Sequence, residues 1–465
     1  MVNIRRLPIV FSASLLALSL TVGISAQTFD RAAVVRAIDS IVNEPIDGGQ
    51  IAGASVAAVH GTDTIIMKAY GYADLEYHVP TPDGAIYEIG SVTKQFTAAA
   101  ILQLVAAGSI DLDAVFTEYL PDYPAEAHGI TVRRLMDHTS GIKGYTEMPG
   151  FESIATRALP RDSLVVMFSA APLDFRPGDA MIYNNSAYFL LGLIIEAVTG
   201  ETYEDYVSER LFTAANMPDS RYCSSNTIVE RRAHGYDFGP DGLARKSFID
   251  HTWPYSAGSL CSTARDLTAW NEALHGDGEG GYILDAAGYR ELTTPGSLND
   301  GTQLRYAKGL AVFETGGRRV IGHGGGIPGF LSQVNYYPDE DLSVVVLVNS
   351  TGPPGPGAIA TEIARLILGE PPDDPVREYA DDVEMLTGAY RGPGRGGELT
   401  ITVDKDPSGL TASVGDGEAF PLRFVEDLTF ATDNNLYTFV VEDGEVVRLL
   451  VDQLSGLYVL TPAGG

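Results

Sequence analysis

The sequence predicts an α+β protein in which an antiparallel sheet is built from strands at both ends of one large domain. Strand-like runs lie near residues 53–70 and again near 310–349, and long helical patterns occupy the interval between them. A second unit of short, evenly spaced strands follows near residue 387. The first two observations predict the mixed domain, and the third predicts a small C-terminal antiparallel barrel or sandwich.

The first strands of the large domain are predicted to form a hairpin. Gly53–His60 and Thr64–Tyr70 are apolar runs separated by residues 61–63, a short turn that contains glycine. Apolar residues at helical spacing precede them from Phe29 to Val42. The domain is therefore expected to begin with a helix and then enter its sheet.

Helices and further strands complete the large domain. Helical patterns are clearest at Thr93–Ala107 and Ala187–Thr199, with others near 202–215, 263–274 and 356–368. Short turns connect several of the later strand patterns, and such turns favour antiparallel neighbours over βαβ units. Those strands are predicted at Leu310–Thr315, Arg319–Gly322, Leu331–Tyr337 and Leu342–Asn349.

The chain changes character after Gly369. Three prolines and three acidic residues within 370–375 cannot sustain a helix or a strand, so residues 370–386 are predicted to be a linker. Residues 387–465 then form the small all-β domain, in which we identify no candidate for chemistry. This domain is expected to supply no group to a catalytic site.

Composition excludes several classes of protein. The 465 residues carry a formal charge of −30, which repels phosphate backbones, so no nucleic-acid partner is expected. The two cysteines, Cys223 and Cys261, are too few for a four-cysteine zinc site or an iron–sulfur cluster. They could form one disulfide bond in an oxidising compartment, and their spacing does not decide whether they do.

The amino-terminal segment predicts export. Arg5 and Arg6 precede an apolar stretch, Leu7–Ile24, that ends in small residues, as a secretory signal peptide does. An uncleaved membrane anchor is the alternative, because the stretch approaches spanning length. We expect residues 1–26 to be a cleaved signal and the mature chain, without a transmembrane span, to be periplasmic or secreted.

The first chemical motif combines a serine with a lysine at the start of a helix. Ser91 and Lys94 lie three residues apart, which places them on one helical face. Ser91 could simply be an N-cap or first-turn residue, but a lysine in the first turn opposes the helix dipole. The spacing instead allows the amine to reach the hydroxyl, and the helix start offers N–H groups to an oxyanion.

Two further motifs are weaker when taken alone. Tyr183 and Asn185 precede a helix that Asn185 or Ser186 could cap. Beside a lysine ammonium, a tyrosine phenolate would be stabilised as a general base, and the amide of Asn185 could orient a substrate carbonyl or hold Lys94. The third motif, His323-Gly324-Gly325-Gly326, is either an ordinary glycine-rich turn between strands or a strand edge against which a substrate lies.

In this order and at this separation, the motifs resemble those of the serine β-lactamase and penicillin-binding-protein superfamily. The similarity is greatest to the branch that contains class C β-lactamases, D-Ala-D-Ala carboxypeptidases, D-amino-acid peptidases and related esterases. It extends from Phe29 to Gly369 and implies a five-stranded antiparallel sheet beside a helical subdomain, within a hydrolase domain at 27–369. The matching segments are residues 89–97, 135–142, 175–178, 183–185, 190–192, 196–200, 258–267 and 323–326.

The resemblance also implies a role for each residue of the motifs. Ser91 would be the nucleophile, Lys94 its activating partner and Tyr183 the proton shuttle, with Asn185 contacting the substrate. His323 and Gly325 would belong to the substrate-binding strand, and the N–H groups of Ser91 and Gly326 would form the oxyanion hole. The reaction would be acyl transfer through an acyl-enzyme, with no metal and no organic cofactor.

One departure from the family pattern concerns the substrate. Penicillinases usually have a lysine where this chain has His323, and histidine is mostly neutral at pH 7. We therefore expect hydrolysis of a small-molecule ester, amide or D-amino-acid peptide rather than dedicated β-lactamase activity. A genuine β-lactamase, or a penicillin-binding-like protein that senses a ligand with little turnover, is the alternative; the oligomeric state is not predicted.

Overall fold

The computed structural model describes residues 30–276, 278, 280–370, 379, 383–407, 409–432 and 435–463. The predicted signal peptide at 1–26 lies outside these residues, as does most of the predicted linker at 370–386. Within the described chain, no helix combines the length and the apolar composition that crossing a bilayer requires.

The helices are numbered in chain order over the described residues. A π-helical turn at Ser208–Phe212 continues α7, so the helical pattern predicted near 202–215 divides into two pieces. The helices are α1 (Arg31–Asp47), α2 (Thr93–Ala106), α3 (Val132–Met136), α4 (Phe151–Ile154), α5 (Arg161–Ser169), α6 (Asn185–Thr199), α7 (Tyr203–Val207), α8 (Tyr255–Gly258), α9 (Ala264–His275), α10 (Ala286–Thr293) and α11 (Pro356–Leu368).

The strands of the large domain include several that are only two or three residues long. They are β1 (Gly53–His60), β2 (Asp63–Asp74), β3 (Val79–Pro80), β4 (Tyr87–Glu88), β5 (Met181–Ile182), β6 (Arg221–Tyr222), β7 (Tyr236–Gly239), β8 (Gly242–Arg245), β9 (Leu260–Ser262), β10 (Ala311–Thr315), β11 (Arg318–Ile327), β12 (Phe330–Tyr337) and β13 (Leu342–Val348).

The central sheet confirms the prediction that strands from both ends of the domain meet. Its order is β10-β11-β12-β13-β1-β2-β3, so β13 and β1 are neighbours although some 280 residues separate them. The sheet has seven strands rather than the five that the family resemblance implies, because the short strands β10 and β3 extend it at its two edges. All neighbouring strands of this sheet are antiparallel.

Both faces of the central sheet are covered by helices. Strand β13 is buried along its whole length, and its side chains alternate between two cores, as a period of two requires. Val344 and Val346 pack in the core formed with α1 and α11. Val345 and Leu347 face the larger core, which contains Phe96 of α2 and the helices of the middle of the chain.

The C-terminal domain is a closed eight-stranded antiparallel barrel, as one of the two predicted alternatives stated. Pairing of the first barrel strand with the last closes it, and aromatic residues including Phe430, Tyr437 and Phe439 fill the interior. Its strands are β14 (Gly388–Gly394), β15 (Gly397–Asp406), β16 (Gly409–Val414), β17 (Phe420–Glu426), β18 (Thr429–Ala431), β19 (Leu436–Glu442), β20 (Glu445–Gln453) and β21 (Gly456–Pro462).

The barrel is joined to the large domain by a strand pairing. Strand β5 adds to the barrel beside β21, with Ile182 opposite Gly456 and Met181 opposite Leu457. An apolar cluster in which Met181 and Tyr306 pack with Leu457 lies beneath this pairing. The pairing brings the barrel to the segment that carries Tyr183.

Candidate active site

Ser91 lies in a single 3-10 turn, Gly90–Val92, that leads directly into α2. Neither the turn nor the helix is capped by a side chain, so Ser91 is not an N-cap, whereas its place in the turn that leads into α2 agrees with the first-turn alternative. Gly90 has φ +51°, and a Cβ on it would lie 2.8 Å from the backbone nitrogen of Gly326. The turn therefore rests against strand β11 at a distance that only glycine permits.

Lys94 is completely buried in the first turn of α2. Its Nζ lies 2.8 Å from Oδ1 of Asn185, 2.8 Å from the carbonyl oxygen of Ala257 and 3.3 Å from Oγ of Ser91. Burial holds the pKa of Lys94 well below its usual value, and the charge of Arg395 lowers it further. A neutral amine has two hydrogens for the two carbonyl-type oxygens, which leaves its lone pair for the Ser91 hydroxyl.

Tyr183 follows β5, and its ring lies beneath the lysine. Nζ of Lys94 is 4.6 Å from the ring centroid, and the Tyr183 hydroxyl is buried with no regular hydrogen-bond partner among the described residues. Burial raises the pKa of Tyr183, although interaction with the Ser91 hydroxyl opposes this shift. The predicted phenolate stabilised by Lys94 is therefore not the resting arrangement, which is a protonated phenol beside Ser91.

Asn184, rather than Asn185 or Ser186, caps α6. Its side-chain oxygen accepts a hydrogen bond of 2.9 Å from the backbone nitrogen of Ala187. Asn185 is thereby left to hold Lys94, which is one of the two roles that its amide predicted. Its Nδ2 donates to Oγ1 of Thr146 at 3.2 Å. A direct contact between Asn185 and a substrate stays a prediction.

His323 and the glycines after it lie within β11, which continues to Ile327 past its predicted end at Gly322, so the alternative of a glycine-rich turn between strands is wrong. Burial lowers the pKa of His323 to about 3, and nearby Lys94 adds to this effect, so the imidazole is neutral. Its Nε2 lies 3.0 Å from the hydroxyl of Tyr306. A Cβ on Gly325 would collide with the carbonyl oxygen of Ile89. The glycines therefore let β11 approach the Ser91 turn, and the oxyanion hole of Ser91 and Gly326 stays a prediction.

Aromatic and imidazole rings pack around the ring of Tyr183. The rings of His138 and His323 lie 4.4 and 5.9 Å from the Tyr183 ring, and that of Tyr306 lies 6.2 Å away. Nδ1 of His138 accepts a hydrogen bond of 3.1 Å from the backbone nitrogen of Asn184. Burial lowers the pKa of His138 well below its usual value, so this ring is also neutral.

These residues open into a cleft of about 1130 Å³. Ser91, Tyr183 and His323 lie on its wall, together with Arg395, Arg423 and Ser455 of the barrel. The backbone nitrogen of Tyr183 donates to the carbonyl oxygen of Ser455 at 3.1 Å. The expectation that the C-terminal domain supplies no group to the site is therefore wrong.

Sequence reasoning missed Arg395 and its partner Glu147. Arg395 lies between glycines in the turn after β14, a pattern similar to the glycine-rich segment around His323. That similarity could have marked Arg395 as a candidate site residue, but no sequence feature near Arg395 indicates that it lies close to Tyr183. Among the described residues, no group of three or more His, Cys, Asp or Glu side chains is arranged to hold a metal ion.

Comparison with known proteins adds a family relationship to this geometry. A family model described as "Beta-lactamase" matches residues 38–369. A D-aminopeptidase of Brucella anthropi is 30% identical over 337 residues, which cover 71% of this chain and 62% of the relative. This chain therefore spans less than two thirds of that relative's length.

Solved structures support the same fold. The D-amino acid amidase from Ochrobactrum anthropi SV3, solved with D-phenylalanine, has a TM-score of 0.62 at 27% identity, covering 72% of this chain and 98% of the amidase. The octameric penicillin-binding protein homologue from Pyrococcus abyssi has a TM-score of 0.64 at 22% identity, covering 91% and 99% of the two chains. The second comparison bears on the fold alone.

Proposed function

Because the chain belongs to the β-lactamase family, we propose that it is a serine hydrolase that forms an acyl-enzyme on Ser91 and releases the acyl group to water. The observation that carries this proposal is the environment of Lys94. Its amine is buried, two carbonyl-type oxygens lie 2.8 Å from Nζ, and the Ser91 hydroxyl lies 3.3 Å from it. Such an amine can accept the proton of the attacking serine.

Acylation uses two separate proton transfers. Oγ of Ser91 bonds to the substrate carbonyl carbon while its proton passes to Lys94. The bond to the leaving amine or alcohol then breaks, and Tyr183 donates its phenolic proton to that group. The high pKa of Tyr183 keeps the phenol protonated until this step.

Deacylation returns both protons. Water attacks the acyl carbon and gives a proton to the phenolate of Tyr183, and Oγ of Ser91 leaves with the proton held by Lys94. The N–H groups of Ser91 and Gly326 would stabilise the oxyanion in both halves of the reaction. Each cycle thus regenerates a neutral amine, a neutral phenol and a free hydroxyl.

The proposed substrates are esters, amides or D-amino-acid peptides. The similar proteins include a D-aminopeptidase and a D-amino acid amidase, so amide bonds next to a D-residue are the first to test. The neutral His323 offers no fixed cation to a β-lactam carboxylate at the position where penicillinases usually have lysine. This difference favours amidase, peptidase or esterase activity over dedicated β-lactamase activity.

Export to the periplasm or the medium is part of the proposal. Cys223 and Cys261 form a disulfide bond with their Cα atoms 5.2 Å apart. Disulfides persist mainly in oxidising compartments, so the bond supports the signal peptide predicted at 1–26.

The test compares the wild type with Ser91→Ala on three substrates: a D-amino-acid nitroanilide, a short-chain nitrophenyl ester and a chromogenic cephalosporin. We expect Ser91→Ala to lower kcat/KM by about 10³-fold or more, and intact mass spectrometry to detect an acyl adduct only on the wild type. Ser109→Ala, an exposed serine after α2, is the matched control and should retain full activity.

Two outcomes would contradict this function. Activity of Ser91→Ala within tenfold of the wild type would exclude Ser91 as the nucleophile. Stoichiometric acylation of the wild type without release would instead support a ligand sensor.

A further inference from the structure

A hairpin of the barrel reaches the catalytic residues of the large domain. It joins β14 to β15 through Arg395 and Gly396, and Gly396 has φ +81°. A Cβ on Gly396 would lie 3.4 Å from Cβ of Glu147, so the tip of the hairpin packs on that residue. The guanidinium carbon of Arg395 lies 5.7 Å from the ring centroid of Tyr183.

A continuous chain of polar contacts runs from this hairpin to Lys94. Nε of Arg395 donates to Oε1 of Glu147 at 2.6 Å, and Nη2 lies 2.6 Å from the same oxygen. The hydroxyl of Thr146 lies 2.9 Å from each carboxylate oxygen of Glu147. Nδ2 of Asn185 donates to this hydroxyl at 3.2 Å, and Oδ1 of Asn185 accepts from Lys94 at 2.8 Å.

In this series of polar contacts, the donor and acceptor of each hydrogen bond follow from those of the preceding bond. A carboxylate paired with arginine only accepts, so the Thr146 hydroxyl must donate to Glu147. The lone pairs of that hydroxyl then face Asn185, which turns its NH₂ group toward Thr146 and its oxygen toward Lys94. The ion pair therefore selects the amide orientation that holds the lysine.

The ion pair is also close enough to act on Lys94 electrostatically. After burial, which has the largest effect, the charge of Arg395 lowers the pKa of Lys94 and the charge of Glu147 raises it. Both imidazoles near Lys94 are neutral, because burial lowers their pKa values. The titratable and charged groups that face Lys94 are Tyr183, Tyr188, His138, His323, Glu147 and Arg395.

We propose that Arg395 is a positioning residue that acts from the C-terminal domain: through Glu147, Thr146 and Asn185 it orients the Lys94 amine toward Ser91. The proposal rests on the proposed function, in which Lys94 is the base. Residues of both domains therefore form the catalytic site, although Ser91, Lys94 and Tyr183 all belong to the first domain.

The test uses the full-length protein and a neutral short-chain nitrophenyl ester, so that substrate charge has no influence. Arg395→Ala should lower kcat by about tenfold to a hundredfold, the usual effect of a small misplacement of a catalytic group. KM should stay within about threefold, because Arg395 acts on Lys94 and not on the ester. Arg391→Ala, an exposed arginine on β14 outside the cleft, is the matched control.

The pH profile of kcat/KM separates positioning from a general loss of structure. Activity rises with pH as Lys94 loses its proton, so the acidic limb follows the pKa of Lys94. Arg395→Ala should move this limb to higher pH and Glu147→Gln to lower pH, because the two charges act on Lys94 in opposite directions. Arg395→Lys keeps the charge and should return the limb to its wild-type position.

The possible results distinguish failure of the Arg395 proposal from failure of the proposed function. If the wild type turns over the ester and Arg395→Ala has unchanged kcat and an unchanged acidic limb, the proposal is overturned. A rise in KM with unchanged kcat would also overturn it, since Arg395 would then contact the substrate. An inactive wild type, or an active Ser91→Ala, would overturn the proposed function instead. Should Arg395→Ala fail to fold, Glu147→Gln still provides a shift of the acidic limb, with Arg395→Lys as the variant whose limb should not move.

Discussion

Gly90 determines how closely the turn that carries Ser91 approaches strand β11. Its φ of +51° and its contact with the backbone of Gly326 both require the absence of a Cβ. The contact places the Ser91 hydroxyl beside the strand whose N–H group is proposed to bind the oxyanion. The absence of a side chain at Gly90 thus sets the distance between the Ser91 turn and strand β11.

We expect Gly90→Ala to reduce both stability and turnover. The positive φ should cost about 1–3 kcal/mol, and displacement of Ser91 should lower kcat by at least about tenfold. Gly108→Ala is the matched control, because Gly108 has φ +71° but open space where its Cβ would lie. Urea unfolding and ester hydrolysis of both variants separate the two effects; equal turnover in the two variants would argue against the steric contact.

The residues that sequence analysis identified are those within short motifs. Ser91 with Lys94, Tyr183 with Asn185, and His323 with its glycines each have a local pattern, and the structure brings all three groups together at one cleft. Thr146, Glu147 and Arg395 have no such pattern. Thr146 and Glu147 reach the site from a short turn of the large domain, and Arg395 reaches it only through docking of the barrel, which no local spacing encodes.

At the scale of elements, the short strand β4 connects the Ser91 turn to a buried group of charges. Glu88 of β4 is 2% exposed and accepts hydrogen bonds from Arg232 at 2.8 Å and Lys246 at 2.6 Å. Burial alone would raise the pKa of Glu88, but the charges of Lys246 and His251 and the hydrogen bonds from Lys246 and Arg232 hold it below its usual value. The carboxylate therefore stabilises the fold in its ionised form.

We expect Glu88→Gln to destabilise the protein by about 3 kcal/mol at pH 7, because it leaves two partly buried cations, Arg232 and Lys246, without their buried counter-charge. A lowered carboxyl pKa contributes stability above the unfolded pKa of about 4.3, and this contribution is lost as the pH falls through the folded value. The difference between wild type and variant should therefore shrink below about pH 4 in urea unfolding.

Asp63→Asn is the control for this prediction, because the Asp63–Arg31 pair is exposed. It should change stability by less than about 1 kcal/mol. Equal effects of the two substitutions would show that burial does not strengthen the role of Glu88.

Long elements were predictable from the sequence and short ones were not. The helical patterns at Thr93–Ala107 and Ala187–Thr199 correspond to α2 and α6, because each offers several turns of periodicity. Strands β4, β5 and β9 have two or three residues each, too few for a period of two to be recognised. They exist because distant partners supply their hydrogen bonds.

At the scale of the whole molecule, the barrel is part of the support of Tyr183. Strand β21 pairs with β5, the carbonyl oxygen of Ser455 accepts from the nitrogen of Tyr183, and the cluster around Leu457 anchors the contact. The sequence predicted a small all-β domain correctly, but its relation to the site arises from pairing between residues more than 270 positions apart.

We expect a chain shortened to end at Gly369 to lose turnover, contrary to the expectation from sequence. It would lack both the Arg395 hairpin and the partner of β5, so its kcat should fall further than that of Arg395→Ala. Parallel thermal unfolding shows how much of the loss reflects destabilisation. Full turnover with an unchanged Tm would show that the barrel does not support the site.

The pairing of β5 with β21 also has a consequence for the order in which function appears during synthesis. The nucleophile and its base precede Tyr183 in the chain, whereas the strand that supports the phenol is synthesised more than 270 residues after β5. A nascent chain that has reached only the end of α11 would therefore contain Ser91 and Lys94 but would lack the strand that supports Tyr183. Synthesis and docking of the barrel, rather than folding of the first domain, would mark the onset of activity.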